Sequence, residues 1–282
     1  MLSYRHIFHA GNHADVLKHM TICLLMRYLN RKDKPYAVID THAGSGIYDL
    51  NDHFAVKNLE FAYGVSKVLE DPMLRRELPE YYACIDTINT PPQFRYYPGS
   101  ACYEALLAHQ DAHLFFIELH GGESQALMDN FGDNDNVSVY QDNGLGSLRA
   151  LLPPIQRRAL ITIDPSYELR SDYDQVVSTL KMALGRFATG IYFIWYPVLC
   201  RERDQSYALV HRIRGLNRPL LQAELHITKQ SRSGGMHGSG VLIINYPYGI
   251  EKDLQLITTQ LRQLMALDDQ ARAQVTILVK AP

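Results

Sequence analysis

The segment Asp164-Pro165-Ser166-Tyr167 carries residue types suited to chemistry on an amine. It follows the apolar run ALITI at 159–163, which predicts a buried strand. The exocyclic amine of adenine is a poor nucleophile, because its lone pair is delocalised into the ring. A carboxylate from Asp164 and the carbonyl of Pro165 could accept its two protons and localise that lone pair. Tyr167 could stack on the base once it has left its helix.

A methyl donor for such an amine would be a sulfonium, which requires positioning of the attacking nitrogen more than a strong base. The loop Asp40-Thr41-His42-Ala43-Gly44-Ser45-Gly46 follows the first predicted strand, and its glycines let a ligand approach the backbone. A dinucleotide site would need a third glycine, which is absent. Glu118 ends the second predicted strand and could bond the two hydroxyls of a ribose. The sequence therefore predicts an adenosine cofactor other than NAD.

A second segment, Asn245-Tyr246-Pro247-Tyr248, superficially resembles an amine-methylation motif. Its strand is the second arm of a predicted hairpin, so we interpret the segment as a structural turn. The N-terminal histidines are a further alternative, because His9 and His13 are four residues apart, a spacing that can hold a metal on a helix. No cysteine or well-placed carboxylate completes a tetrahedral set, and we expect no metal site.

Apolar runs alternate with amphipathic stretches and predict an α/β fold with a mostly parallel sheet. The first helix is expected to begin after Asn12, a good N-cap, with one face in the core. Strands 220–227 and 241–246 are joined by the glycine-rich SRSGGMHGSG, which predicts a hairpin with one antiparallel strand. Residues 50–96 show helical patterns and no buried strand. Other strands are predicted at 36–40, 113–119, 137–141, 159–164, 190–196 and 275–279, and helices at 101–109, 123–131, 173–187 and 251–267.

This plan is typical of the Rossmann-like S-adenosylmethionine-dependent methyltransferases, whose sheet ends in an antiparallel hairpin. We expect residues 1–49 and 97–282 to form the methyltransferase domain, and residues 50–96 to form an inserted helical subdomain. With 282 residues, 46% of them apolar, the chain is long enough for one large domain that carries such an insert.

Composition also indicates the cellular compartment and the residues that could contact nucleic acid. No apolar run approaches the roughly 20 residues of a membrane span, and the N-terminus lacks the apolar core of a secretion signal. The four cysteines form no C-x-x-C pair, which fits a reducing cytoplasm without disulfides. The formal net charge of −2 means that nucleic-acid contacts must come from local patches. Candidate cations are Arg5, Lys18, Arg27, Arg31, Lys32, Arg75, Arg76 and Arg95.

The blocks MLSYRHIFHAGNHADVLKH, DTHAGSGIY, RYYPGS, DPSYE and RFATGIYFIWYP closely resemble segments of the bacterial 23S ribosomal RNA adenine-N6 methyltransferases of the RlmJ type. They occur in order from residue 1 to about residue 247, so the resemblance covers nearly the whole chain. It implies a cytoplasmic enzyme that binds S-adenosylmethionine and 23S rRNA, with no membrane or metal. We expect a monomer. It also implies a helical subdomain within the methyltransferase fold.

The resemblance also implies roles for individual residues. In that family, the residues corresponding to His19, His42, Ser100 and Glu118 contact S-adenosylmethionine, and the residue corresponding to Asp164 is catalytic. Tyr4 would contact the RNA, and Arg5, His6 and Lys18 in the same block would lie on the substrate side. The expected catalytic turn is Asp164, Pro165 and Tyr167, and the expected cofactor residues are His19, His42, Gly44, Ser100, Glu118, Asp142, Asn143, Gly144 and Asp164.

Two departures from the family pattern concern these sites. The family has Asp-Gly at the adenine pocket, where this chain has Asp142-Asn143-Gly144, so either Asp142 or Asn143 takes the place of the acid. The usual D-P-P-Y is D-P-S-Y here, with Ser166 at the third position. Ser166 removes one backbone constraint, and we expect activity to survive.

Other functions remain open at the level of the residues alone. A DNA adenine methyltransferase would use the same chemistry, although no helix-turn-helix or strongly basic arm indicates duplex reading. Methylation of a glutamine amide needs similar activation. An RNA-binding protein with a vestigial cofactor pocket would be separated from the enzymes by a cofactor-binding measurement. The sequence does not identify the methylated nucleotide.

Overall fold

The computed structural model describes residues 5–90 and 92–281. The chain folds into two compact units, residues 1–144 and residues 145–282. Among the described residues, no helix is long and apolar enough to cross a membrane.

The first unit combines three parallel strands with helices and a small two-stranded ribbon. Short 3-10 helices lie at His6–Phe8 and Val65–Lys67. In chain order its elements are α1 (His13–Asn30), β1 (Ala37–Asp40), β2 (Ile47–Asp49), α2 (His53–Asn58), α3 (Glu60–Tyr63), α4 (Pro72–Glu77), α5 (Pro79–Ile88), β3 (Tyr96–Pro98), α6 (Ser100–Leu107), β4 (His113–Ile117), α7 (Gly121–Phe131) and β5 (Val137–Tyr140).

The strand β4 pairs in parallel with both β1 and β5. Asp40 is aligned with Phe116, and Ile117 is aligned with Tyr140. Because the carboxyl ends of parallel strands meet at one edge of a sheet, the loop 40–46, Glu118 and the segment 141–143 all start from this edge. The strand order of this unit therefore brings together three segments that are far apart in sequence.

Helix α1 begins where the sequence predicts. The Asn12 side chain accepts hydrogen bonds from the backbone amides of Ala14 and Asp15, at 2.9 and 3.0 Å. The helix is more deeply buried than its pattern predicts, since every residue from His13 to Met26 is buried rather than one face alone. The reason is that α3, α5 and α6 pack around it. Its polar residues must consequently find partners inside the protein.

The segment 50–96 is helical, with α2 to α5 and one 3-10 helix. It is flanked by a ribbon that the sequence does not reveal, in which β2 pairs antiparallel with β3 and Ile47 is aligned with Pro98. Three-residue strands are too short to show a periodic pattern. All of these helices belong to the first compact unit, and their status as a separate subdomain stays a prediction.

The second unit includes α8 (Gly144–Leu151) from Leu145 onward and contains a parallel pair of strands extended by antiparallel strands. Its elements are β6 (Ala159–Ile163), α9 (Arg170–Arg186), β7 (Ile191–Leu199), α10 (Ser206–Arg214), β8 (Leu220–His226), β9 (Met236–Ile244), α11 (Ile250–Met265) and β10 (Arg272–Val279). β6 and β7 are parallel, and β9 is antiparallel to both β7 and β8. The hairpin is confirmed. The strand predicted at 275–279 is part of β10, which pairs antiparallel with β8. The sheet therefore has a second antiparallel strand, whereas the sequence predicts only one.

The hairpin strand β9 begins at Met236, five residues before the predicted start, and includes Gly238 and Gly240. At Gly240, an added Cβ would collide with the ring of Tyr196. The Tyr196 hydroxyl donates to Glu224 at 2.8 Å and accepts from the Gln222 amide at 2.8 Å, so the ring is fixed in place. Gly240 lies in a glycine-rich stretch that resembles a loop, but it is a strand residue covered by the ring of Tyr196.

We expect Gly240→Ala to lower the free energy of unfolding by about 1–3 kcal/mol, the usual cost of forcing extra volume into a packed core. Chemical denaturation measures the change. Gly235→Ala is the matched control, because a Cβ there meets nothing within 4 Å, and it should shift stability by less than about 0.5 kcal/mol. Equal effects of the two substitutions would contradict the role assigned to Tyr196.

Candidate active site

The loop 40–46 is held by the carboxylate of Asp40, which is fully buried at the end of β1. Its Oδ1 accepts a hydrogen bond from the His42 amide at 3.0 Å, and its Oδ2 accepts one from the Ser100 hydroxyl at 2.6 Å. Ser100 is the first residue of α6, so one carboxylate joins the loop to that helix. Two predicted cofactor residues, His42 and Ser100, are thereby brought to the same strand end.

Glu118 immediately follows β4 and is tied to the same loop. Its Oε2 accepts from the Gly44 amide at 3.0 Å, and its Oε1 accepts from the His120 amide at 2.7 Å. Burial raises the pKa of this carboxyl, and the two amide hydrogen bonds oppose the rise. Each carboxylate oxygen has a further lone pair, so Glu118 could still accept hydrogen bonds from ribose hydroxyls.

The third strand end carries Asp142, Asn143 and Gly144. Asp142 and Asn143 are exposed, and the Asn143 amide donates to the Asp142 carboxylate at 2.7 Å. Gly144 is buried, and a Cβ there would collide with the carbonyl of Thr41. Only glycine allows the backbone to pass this close to the loop. The adenine pocket predicted here therefore has an exposed acidic rim and a closely packed glycine floor.

His19 lies on α1 and is fully buried. Its Nδ1 is 2.9 Å from the Tyr97 hydroxyl, whereas its enclosed Nε2 has no hydrogen-bond partner among the described residues. Burial holds the pKa of this imidazole well below its usual value, so the ring is neutral. A buried ring nitrogen without a partner is uncommon in native proteins, and it fits a residue that bonds a ligand.

Asp15 is the centre of a buried polar cluster at the start of α1. Its Oδ2 accepts from the Gly11 amide at 2.9 Å and from His6 Nε2 at 2.8 Å, and its Oδ1 lies 2.9 Å from Lys18 Nζ. Burial alone would raise the pKa of this carboxyl, but the neighbouring His6 and Lys18 side chains hold the pKa well below its usual value. The carboxylate is thus ionised and fully paired.

This cluster changes the interpretation of the N-terminal block. Lys18 is only 4% exposed, so its contact with an RNA phosphate requires the ion pair with Asp15 to open. Arg5 is exposed, and its guanidinium lies 5.4 Å from the centre of the Phe54 ring. Tyr4 lies outside the described residues. The RNA contacts of Tyr4, Arg5, His6 and Lys18 stay predictions.

The two histidines with metal-like spacing have other surroundings. His9 Nδ1 bonds Glu60 at 2.9 Å, and burial lowers the pKa of His13 to about 4. Between residues 5 and 90 and between 92 and 281, no group of three or more His, Cys, Asp or Glu side chains is arranged to hold a metal.

In the second unit, Asp164 and Pro165 follow β6, and the turn ends in a conformation that is rare for a tyrosine. Tyr167 has a φ of +52°, in the left-handed region. Its hydroxyl donates to the carbonyl of Trp195 on β7 at 2.8 Å. Its ring centre is 4.5 Å from that of Tyr173 and 6.1 Å from that of Trp195. These contacts stabilise the strained backbone of Tyr167, which lies three residues after Asp164.

Tyr167 is 3% exposed, and burial raises the pKa of its phenol well above its usual value. A base could stack on this ring only after Tyr173 or Trp195 had moved away. The hydrogen bond of its hydroxyl anchors the turn to the neighbouring strand, and the stacking of a base on Tyr167 stays a prediction.

The segment beginning at Asn245 is a structural turn, as interpreted from the sequence. Asn245 has a φ of +57°, and its side-chain amide donates to the carbonyls of Ala188 and Gly190, at 2.9 and 2.7 Å. Both amide protons are therefore used to fasten the loop before β7. This side chain has no proton left with which to position a substrate.

Sequence reasoning did not single out three residues that matter to these sites: Asp15, Tyr97 and Trp195. Nothing in the sequence pattern marks Asp15 as the partner of His6 and Lys18. Tyr97 lies within RYYPGS, a block that carries the family resemblance as a whole and does not mark any one of its residues. Trp195 acts through its carbonyl, which a sequence pattern does not distinguish.

Comparison with solved structures defines the class of protein. The chain is similar to the crystal structure of protein LPL1258 from Legionella pneumophila, with a TM-score of 0.86 and 34% identity, covering 95% of this chain and 98% of that one. A probable spermidine synthase from Corynebacterium glutamicum shares the fold alone, with a TM-score of 0.52 and 7% identity over 93% of this chain and 74% of that one. The predicted Rossmann-like methyltransferase fold is confirmed.

Comparison with known sequences defines the family. The family model described as ribosomal RNA large subunit methyltransferase D, RlmJ, matches residues 33–279. The ribosomal RNA large subunit methyltransferase J of Escherichia coli is 39% identical over 99% of both chains, and that of Haemophilus influenzae is 38% identical over 94% of both. The chain belongs to the RlmJ family of ribosomal RNA large subunit methyltransferases.

We expect Tyr167→Phe to lower kcat for methyl transfer by about 10- to 100-fold, because small misplacements of reacting groups have effects of this size. The KM for RNA should change little, since the ring is retained. Steady-state kinetics with a saturating methyl donor separate the two constants.

Tyr173→Phe is the matched control, because the Tyr173 hydroxyl has no hydrogen-bond partner among the described residues. It should retain the wild-type kcat. If Tyr167→Phe also kept the wild-type kcat while Tyr167→Leu raised the KM for RNA, base stacking would be the correct role.

Proposed function

We propose that this chain transfers a methyl group from S-adenosylmethionine to N6 of one adenine in 23S rRNA, in the cytoplasm. Membership of the RlmJ family supports methylation of large-subunit rRNA. The choice of the adenine amine rests on the carboxylate and carbonyl of the segment Asp164-Pro165. The observation that carries the proposal is the meeting of three parallel strand ends, which groups the loop 40–46, Glu118 and Gly144.

The residues at these strand ends fit the proposed cofactor. Glu118 would accept the ribose hydroxyls, and the backbone at Gly144, with Asp142 or Asn143, would lie against the adenine. His42 and Ser100, joined through Asp40, would lie with Gly44 and His19 around the remaining part of the molecule. The buried, unpartnered Nε2 of His19 supports this assignment. When bound, S-adenosylmethionine supplies an electrophilic methyl group on a sulfonium sulfur.

On the substrate side, Asp164 and the Pro165 carbonyl would accept the two amine protons and orient the nitrogen lone pair. The transfer needs no strong base, because the methyl group departs from a sulfonium sulfur, which is a good leaving group. Positioning of the attacking nitrogen accounts for much of the rate. The proton lost from the methylated nitrogen would pass to Asp164 or to solvent. Asp164 is partly exposed at the end of β6, which allows such contact.

The substrate would be free or partly assembled rRNA, as a hypothesis. An adenine must leave its stack before its amine can reach Asp164, and a folded ribosome makes that step more costly than a free hairpin does. We expect faster methylation of protein-free 23S rRNA than of intact large subunits. Equal rates of methyl incorporation into the two substrates would refute this part.

The chain should bind S-adenosylmethionine and its demethylated product, and it should not bind NAD. Glu118→Ala should weaken binding of the demethylated product about tenfold or more, because it removes charged hydrogen-bond acceptors from the ribose. Isothermal titration calorimetry measures both effects. NAD binding, combined with no binding of either sulfur compound, would overturn the cofactor assignment.

Asp164→Ala should reduce the rate of methyl transfer by a factor of about 10² or more, as is typical when a group aimed at the reacting centre is removed. Transfer of radiolabelled methyl groups to 23S rRNA measures the rate, and mass spectrometry of the digested RNA identifies N6-methyladenosine.

Asn245→Ala is the control for this substitution, because it removes hydrogen bonds from a turn that carries no substrate contact. It should lower thermal stability while leaving the rate per folded molecule near that of the wild type. The opposite pattern in the two variants would show that the active site has been placed in the wrong segment.

A further inference from the structure

Helix α10 and the loop before it present an exposed surface on the second unit that no site described above uses. We define the α10 surface as Arg201, Arg203, Tyr207, His211 and Arg214, all of which are exposed. Tyr207 is 83% exposed, and its ring lies 6.4 Å from that of His211 with an angle of only 16° between the planes. Residues 207, 211 and 214 fall on one face of the helix by their spacing. A large aromatic side chain this exposed is uncommon unless it meets a partner.

The α10 surface is basic within an acidic chain. Residues 201–218 contain five arginines and two acids, a net charge of +3, whereas the whole chain carries −2 and the remaining residues therefore carry −5. Arg212 is paired with Asp174, and Glu202 is paired with Arg232. Within the parts of the chain that the structure describes, the guanidinium groups of Arg201, Arg203 and Arg214 form no ion pair. Their charge is available to a partner.

The α10 surface follows β7, the strand next to β6, at whose end Asp164 lies. β6 and β7 are parallel, and Ile163 is aligned with Ile194, whereas β7 continues to Leu199, so Arg201 lies farther along the strand direction than Asp164. The ring of Tyr173 packs 4.5 Å from that of Tyr167. Tyr173 lies on α9, which packs against α10, and Arg212 of α10 is paired with Asp174, the residue after Tyr173. The α10 surface therefore belongs to a helix that packs beside α9, the helix that follows the turn carrying Asp164.

We propose that the α10 surface binds the substrate RNA on the side of the reacting adenine, with arginines on phosphates and an unpaired base stacked on Tyr207. This inference rests on the proposed function and adds an RNA-binding surface to it. Guanidinium groups form bidentate hydrogen bonds with phosphate, and an exposed aromatic ring accepts any base on its face. Unpaired RNA segments expose their bases for such stacking, which paired duplexes do not.

The buried state of Lys18 strengthens the case. The chain needs cations that can release counterions from phosphate, and Lys18 is already paired with Asp15, as Arg27 is with Glu80 and Arg95 is with Asp49. The α10 surface supplies three cations with no acidic partner in the described chain. If the α10 surface were only a solvated helix face, substitutions on it would not change RNA binding. An RNA-binding surface and a solvated face therefore predict different RNA affinities for the variants.

The test uses the full chain saturated with the demethylated cofactor product, and a fluorescently labelled fragment of 23S rRNA that the wild type methylates. Fluorescence anisotropy gives the Kd between 50 and 200 mM salt, conditions over which counterion release is visible. Arg203→Ala and Arg214→Ala should each flatten the log–log salt dependence by up to about one unit. Arg212→Ala is the matched control on the same helix, and it should leave the slope unchanged because Arg212 is already paired with Asp174.

Stacking is tested separately. Tyr207→Ala should weaken RNA binding by about 5- to 150-fold, and Tyr207→Phe should restore nearly all of the affinity, since the ring rather than the hydroxyl stacks. The affinity for the demethylated cofactor product should not change in any of these variants, which separates loss of RNA binding from loss of folding.

The outcomes distinguish this inference from the proposed function. If the wild type failed to methylate 23S rRNA, the proposed function itself would be wrong. If the wild type methylated it but a combined Arg203→Ala, Tyr207→Ala, Arg214→Ala variant kept the wild-type Kd and salt slope, the α10 surface would have no role in RNA binding. Tighter wild-type binding of duplex DNA than of the RNA fragment at equal length would also overturn the choice of partner.

Discussion

The first unit depends on one buried carboxylate, that of Asp40. A carboxyl group in the interior is costly unless its oxygens have hydrogen-bond partners, and here one oxygen accepts from the His42 amide and the other accepts from the Ser100 hydroxyl. Ser100 lies 60 positions after Asp40, and the helical segment is part of the chain between them. The hydrogen bond at 2.6 Å therefore brings the end of this long segment back to the strand end where the proposed cofactor residues meet. Without it, the loop 40–46 and α6 would lose their common anchor.

Burial of charge also explains the N-terminal block. Because helices cover α1 on several sides, Asp15 and Lys18 cannot use water, and they neutralise each other inside the protein. The same burial keeps His19 neutral, with its Nδ1 bonded to Tyr97 and its Nε2 without a hydrogen-bond partner among the described residues. His6 and Lys18, which the sequence indicates as contacts for RNA, thus belong to an internal polar network around Asp15. Arg203 and Arg214, which are exposed, offer charge that does not depend on opening the ion pair of Lys18 with Asp15.

The sequence was sufficient for the fold class, most element positions and the hairpin, because buried strands and helix caps leave local patterns. Residue-level chemistry also located the loop 40–46 and Glu118, and the structure brings both to one sheet edge. It could not show that Lys18 is buried or that Tyr167 is covered, since both depend on packing from distant segments. Nor could it show that Gly240 lies in a strand under the ring of Tyr196, because a glycine-rich stretch carries no strand pattern.

The replacement of proline by Ser166 in the D-P-S-Y turn is understandable in the same physical terms. A proline there would fix one φ angle and restrict the residue before it, which favours an ordered turn mainly by limiting the unfolded chain. In this chain the turn is ordered from its other end, by the Tyr167 hydroxyl on the Trp195 carbonyl and by the contact with Tyr173. Because β6 and β7 pair in register up to Ile163 and Ile194, that anchor lies one residue beyond the pair, beside Asp164. A buried tyrosine bound to the adjacent strand therefore orders the turn after Asp164 whether proline or serine stands at position 166.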